Sequence, residues 1–138
     1  MIVLDTNVVS TLMQVVPEAR VVAWLNRQPR TSVWTTSVTV FEIRFGLQVM
    51  ASGKRQTALL RSFESLLDRI EHRVARFDGA AANHAADLMA SRQNKGRPGD
   101  SRDTMIAGIV VARQAAIATR NVMHFSDISA TVVNPWDA

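Results

Sequence analysis

The chain opens on an apolar run, Ile2-Val3-Leu4, that stops at Asp5-Thr6-Asn7. A run this short, with no polar alternation, predicts a strand buried on both faces, and the three polar residues after it supply the capping chemistry of a helix start. A buried strand feeding directly into a helix belongs to a parallel sheet covered by helices, which excludes most all-helical and antiparallel folds.

The rest of the sequence continues that alternation. A helical stretch to Met13 follows, then an amphipathic helix from Pro17 and Glu18 with Val21, Val22, Trp24 and Leu25, ending near Pro29. Val33 to Ser37 reads as a second strand. Ser37 or Thr39 is placed to cap a helix whose apolar positions Val38, Phe41, Phe45 and Val49 recur at helical spacing before Gly53. Leu59, Leu60, Phe63, Leu66, Leu67 and Ile70 define another helix. Arg73 to Phe77 reads as a third strand, followed by an alanine-rich helix from Ala80 to Arg92 and a loop from Asn94 to Gly99. A helix from Ser101 to Gln114, a fourth strand at Ile117 and Ala118, and a short strand at Thr131 to Val133 complete the chain. Such alternation predicts right-handed crossovers and an α/β fold with a mostly parallel sheet. The 138 residues contain no linker or repeat and are expected to form one domain, residues 1–138.

Composition narrows the chemistry. No cysteine is present, which excludes disulfides, thiolate metal sites and a cysteine nucleophile, and leaves metal binding to carboxylates and three histidines. Neither a run of about eighteen apolar residues nor a basic leader is visible, so no membrane span or secretory signal is expected, and the cytoplasm is the expected compartment. The net charge is +4, and Lys54 and Lys95 are the only lysines. Arginine suits bidentate phosphate contact, so this balance permits nucleic acid as a partner without requiring it.

In open parallel sheets, ligands bind at the carboxyl ends of the strands. Asp5 ends strand one, Glu42 lies in the first turns after strand two, and Asn121 follows strand four. Helix capping explains Asp5 on its own. Glu42 falls on the stripe of Val38 and Phe45, so it is expected to face inward, where a lone carboxylate is costly. Asp103 shares a face with Ile106, Ala107 and Val110, although a capping role beside Asp100 or Ser101 is also open to it. Three carboxylates aimed at one pocket repel unless a divalent cation neutralises them, and an oxygen-only site suits magnesium or manganese.

These residues resemble the four signature regions of PIN domains: Ile2-Val3-Leu4-Asp5-Thr6-Asn7, the Glu42 helix, the Asp103-x-x-Ile106-Ala107 segment, and Ala118-Thr119-Arg120-Asn121. The resemblance runs to Asn134-Pro135-Trp136 and is nearest to the bacterial VapC toxins, including their FitB-like branch. It implies a three-layer α/β/α fold and a magnesium-dependent endoribonuclease of a toxin–antitoxin system, with manganese a substitute. It also implies dimerisation and inhibition by a cognate DNA-binding antitoxin of the VapB or FitA kind. Asp5, Glu42 and Asp103 would then be metal ligands and, with Asn121, the catalytic set. The family often carries a fourth acid where this chain has Asn121, with His124 and Asp127 further on, so one tightly held metal is expected.

Other features are assigned more plainly. Arg102 and Arg120 stand beside site residues, to hold phosphate or to form surface ion pairs. Trp24, Trp34 and Trp136 are expected to pack in the core, and the Arg55 to Arg69 helix either covers the sheet or offers a partner surface. Ser10 and Ser37 lack a nucleophile-elbow motif, and His72, His84 and His124 lack ligand or base spacing. Two other readings compete: a PIN-like module that binds nucleic acid or a regulator without cutting it, and a phosphatase of the haloacid dehalogenase type. The latter predicts an aspartate two residues after Asp5, where Asn7 stands.

Overall fold

The computed structural model describes residues 1–138. Its five strands are β1 (Ile2–Leu4), β2 (Val33–Thr36), β3 (Val74–Ala75), β4 (Ala116–Ala118) and β5 (Val132–Val133). Its helices are α1 (Thr6–Leu12), α2 (Ala19–Asn26), α3 (Ser37–Val49), α4 (Lys54–Arg69), α5 (Gly79–Asn94) and α6 (Ser101–Ala112), with 3-10 turns at Arg30–Ser32 and Val122–Phe125. The strands form one sheet in the order β3-β2-β1-β4-β5, and every pair is parallel. Ile2 lies opposite Val33 on one side and Ala116 on the other, and Val3 opposite Trp34 and Ile117.

Side chains alternate across a strand, so three residues of β1 serve two cores. Ile2 and Leu4 point into the larger, with Val9, Val21, Trp24, Ile43, Leu47, Phe63 and Leu66 from α1 to α4. Val3 points into the other, with Ile106, Ile109 and Val110 of α6, Ala81 before it in the chain, Ile117 and Phe125. This is the three-layer α/β/α arrangement expected from the sequence. Leu59, Phe63 and Leu66 are buried, so α4 does cover the sheet. Trp24 is in the core, and Trp34 and Trp136 pack partly buried against the two clusters. No helix is long and apolar enough to cross a membrane.

Local chemistry moves several expected boundaries. Thr36, rather than Ser37 or Thr39, caps α3, its hydroxyl accepting from the Thr39 amide at 3.1 Å. Gly53 starts α4 instead of ending α3, and the third strand keeps only Val74 and Ala75 of the expected five-residue run. The larger correction concerns α3. Its buried residues are Val38, Thr39, Ile43 and Leu47, whereas Phe41, Phe45 and Val49 are exposed. The helix carries two apolar stripes, and the sheet takes the one through Ile43 and Leu47, which leaves Glu42 at the boundary between them.

Helices α5 and α6 pack with almost no gap at Gly108, where an added Cβ would lie 2.4 Å from the Ala81 carbonyl oxygen and 2.8 Å from the Ala85 Cβ. Neither neighbour can rotate away. Gly108→Ala is expected to destabilise the fold by about 1–3 kcal/mol, the usual range for overpacking, read as a lower urea midpoint. An unchanged midpoint would show that the two helices separate freely.

Candidate active site

Asp5 is fixed by the end of β4 and by the first turn of α1. Its amide donates to the Ala118 carbonyl at 2.9 Å, extending the β1–β4 ladder by one bond. Its extended backbone makes it the N-cap of α1, with Oδ1 accepting from the Thr6 amide at 2.8 Å. Oδ2 accepts from the Thr119 hydroxyl at 2.7 Å and from Asn7 Nδ2 at 3.2 Å. The residue is only 2% exposed, and no lysine, arginine or histidine forms an ion pair with it. Burial pushes its carboxyl above the ordinary range, against the pull of the Thr119 and Thr6 bonds, and repulsion from Asp103 adds to the rise.

Glu42 and Asp103 approach from opposite sides. Glu42 Oε1 accepts from the Thr6 hydroxyl at 3.0 Å, and Oε2 lies 3.7 Å from the Arg102 guanidinium. Burial chiefly raises its carboxyl as well, and Asp5 and Asp103 repel it while the Thr6 bond and Arg102 oppose the rise. Asp103 stands in the first turn of α6, where the Asp100 side chain caps the Arg102 and Asp103 amides. Its Oδ2 meets His124 Nδ1 at 2.7 Å. The three acids therefore share one strand-end crevice within electrostatic reach of one another. They do not converge on a common point as a ready-made three-ligand group, because each is drawn to its own donor.

The remaining candidates separate. Asn121 is exposed, and its bonds are made by the backbone alone, the N–H donating to Thr119 Oγ1 at 3.0 Å and the carbonyl accepting from the His124 amide at 3.0 Å. Asp127 is spent on a bidentate pair with Arg92, at 2.9 and 2.8 Å, which holds its carboxyl below the ordinary range. Arg102 forms the ion pair with Glu42, and Arg120 lies 5.0 Å over the Trp136 ring.

Sequence reasoning missed His124, which lacks motif spacing yet reaches Asp103 from 21 residues away. The signal available was its place on the segment after β4, the same logic that singled out Asn121. The bonds from the Thr6 and Thr119 hydroxyls to the acids were not foreseen either, because nothing in the sequence marks which residue a threonine hydroxyl will meet. Asn7, where a phosphatase would need its second aspartate, donates to Asp5 instead.

Parallel order, the switch beside β1 and the acidic crevice define a class, and the chain belongs to the PIN domain family, whose sequence profile matches residues 2–130. Within that family it is similar over its whole length to VapC and FitB proteins. It is 38% identical over 138 residues to the VapC ribonuclease Y4jK of Sinorhizobium fredii, covering 99% of both chains. It is 32% identical over 137 residues to the toxin FitB of Neisseria gonorrhoeae, again covering 99% of each. The structure of FitAB bound to a DNA fragment contains a chain that superposes with a TM-score of 0.88 at 32% identity, over 99% of this chain and 96% of that one.

The acids set a pH dependence for the metal-free protein. Asp5 and Glu42 bind protons more tightly in the folded state, so stability falls as pH rises from the ordinary carboxylate range through their raised values. Asp127 acts oppositely, its contribution being lost as pH falls through its depressed value. Asp5→Asn retains a capping oxygen and removes the buried charge, so its melting temperature in chelator should exceed that of the unmodified protein by a few degrees at neutral pH. The gain should vanish below the ordinary carboxylate range. A variant no more stable at neutral pH would show that the buried charge carries no cost.

Proposed function

We propose that the protein is a single-domain, VapC-type toxin that hydrolyses phosphodiester bonds in RNA, using magnesium, or manganese in its place, held by Asp5, Glu42 and Asp103. The observation that carries this reading is Asp5: a carboxylate 2% exposed, with no cationic ion-pair partner, facing two further acids. A fold keeps such a group when a cation supplies the missing charge. The donors are hard oxygens, which fit magnesium or manganese. A divalent ion bound there would activate water and offset charge on the phosphoryl oxygens.

The chain's own residues then divide the work. Thr119, Thr6 and Asn7 fix the Asp5 carboxylate, and His124 fixes that of Asp103. Glu42 is half-buried with a raised pKa, which suits it to take a proton from the attacking water. Arg102, drawn from Glu42, meets the substrate phosphate. Asn121, exposed at the end of β4, orients substrate or water through its amide and adds no charge. The protein acts in the cytoplasm, where RNA and partner are found.

Two surfaces suit the partners. Phe41 and Phe45 stack with centroids 6.3 Å apart on the outer stripe of α3 and, with Val49, form an exposed apolar face suited to a homodimer. A groove of about 400 Å³ between α1, α3 and α4 is lined by Met13, Ile43, Leu47, Met50 and Leu59 and runs to Glu42. It suits the apolar side of an antitoxin helix or tail, which would cover the acids.

Asp103→Asn and Glu42→Gln are expected to lower RNA cleavage by about 10²- to 10⁴-fold and to relieve growth arrest, with circular dichroism unchanged. Full activity of Asp103→Asn in magnesium would overturn the metal-site assignment. Phe41→Asp should shift a dimer to monomer in light scattering. A dimer that survives it does not use the α3 face.

A further inference from the structure

A cavity of about 350 Å³ opens beside the acids, between the end of α5, the start of α6 and the segment after β4. Asp103 and His124 form one wall, and Arg97, Pro98, Ser126 and Met123 continue around it. Its walls are built rather than incidental. Arg92, only 6% exposed, lies beneath them. Its guanidinium makes the pair with Asp127, donates to Thr104 Oγ1 at 3.0 Å and donates to the His124 carbonyl at 2.7 Å, tying α5, α6 and the His124 turn together.

The loop above Arg92 is equally fixed. Helix α5 ends with Gly96 at φ +68, its amide donating to Gln93 and the Arg97 amide donating to the Arg92 carbonyl at 2.7 Å. Those two bonds are the paired closure of a left-handed helix end, and they place Arg97 at the cavity rim. A Cβ on Gly99 would come within 3.0 Å of Arg92 Nη1, so the loop lies directly on the clamp.

The charges facing the cavity are mostly committed. Asp127 is neutralised by Arg92, Asp103 is bonded to His124, and Asp100 caps the first amides of α6. Arg97 is exposed and has no ion-pair partner, and the imidazole of His124 has only Nδ1 engaged. The wall thus offers a guanidinium and an imidazole nitrogen around a space near the lower limit for small-ligand pockets, roughly 300–1,000 Å³, while the Ser126 hydroxyl donates to the Met123 carbonyl at 3.1 Å. Met123 is the single hydrophobic lining residue, which suits a phosphate and sugar better than an apolar peptide side chain.

The geometry points to this cavity as the seat of the nucleotide adjoining the scissile phosphate, with Arg97 on that nucleotide's phosphate. The assignment rests on the nuclease reading above and adds a substrate-positioning arginine outside the acidic set.

The test uses a fluorescein-labelled single-stranded RNA oligonucleotide of mixed sequence, with binding read by anisotropy in chelator across a salt series and cleavage read in magnesium. Arg97→Ala should weaken binding and raise KM about tenfold, hold kcat within about twofold, and lower the salt slope by about one. Arg97→Lys should restore most of the affinity. Arg113→Ala, at the far end of α6, should match the unmodified protein. Cleavage by the unmodified protein together with unchanged KM and salt slope in Arg97→Ala would overturn the subsite and leave the nuclease reading intact. RNA bound through Arg97 but never cut in magnesium would overturn the nuclease reading and with it the subsite, leaving the cavity a plain RNA-binding site. An Arg97→Ala protein that handles RNA normally yet escapes its antitoxin would assign the cavity to the protein partner and overturn the proposal.

Discussion

Everything near the crevice depends on how β1 is paired. It is the central strand, bonded to β2 on one side and β4 on the other, so the chain order reverses across it. Successive crossovers leave β1 in opposite directions, and a gap opens outside its carboxyl end. The bond from the Asp5 amide to Ala118 carries the ladder to the edge of that gap. Asp5 therefore takes its position from backbone pairing and not from a flexible loop. Glu42 and Asp103 are set by the starts of α3 and α6, each capped by its own side chain, Thr36 and Asp100.

This rigidity brings an electrostatic cost that shapes the surrounding residues. Burial chiefly opposes charge on Asp5 and Glu42, and Asp103 repels both. Hydroxyls meet the carboxylates because a hydroxyl donates without adding charge: Thr119 serves Asp5, and Thr6 serves Glu42. Arginine is kept to the margin at Arg102, or buried beneath the neighbouring cavity at Arg92, where Asp127 already answers it. The crevice is thus left short of positive charge at its centre and rigid at its rim.

Much of this was legible in the sequence because it follows from local rules. The Ile2-Val3-Leu4 run, the helix start after it and the alternation of strands and helices each rest on residues close in the chain, and so does the placing of Asp5, Glu42 and Asp103 at one sheet edge. What escaped is what local rules cannot encode. Helix α3 has two apolar stripes, and periodicity does not say which of Ile43 and Phe45 meets the sheet. His124 meets Asp103, and Arg92 meets Asp127 across 35 residues, by packing alone. The salt bridge ties Asp127 to Arg92, a pairing no spacing rule contains.

The bond between Thr119 and Asp5 joins residues 114 positions apart. Asp5 is made well before Thr119. A growing chain that lacks β4 has no neighbour on that side of β1, no hydroxyl for Asp5 and no turn to bring His124 to Asp103. The crevice comes into being only once β4 and the turn after it have been made, so a protein that attacks RNA is harmless to the message from which it is being read until the ribosome has passed that point.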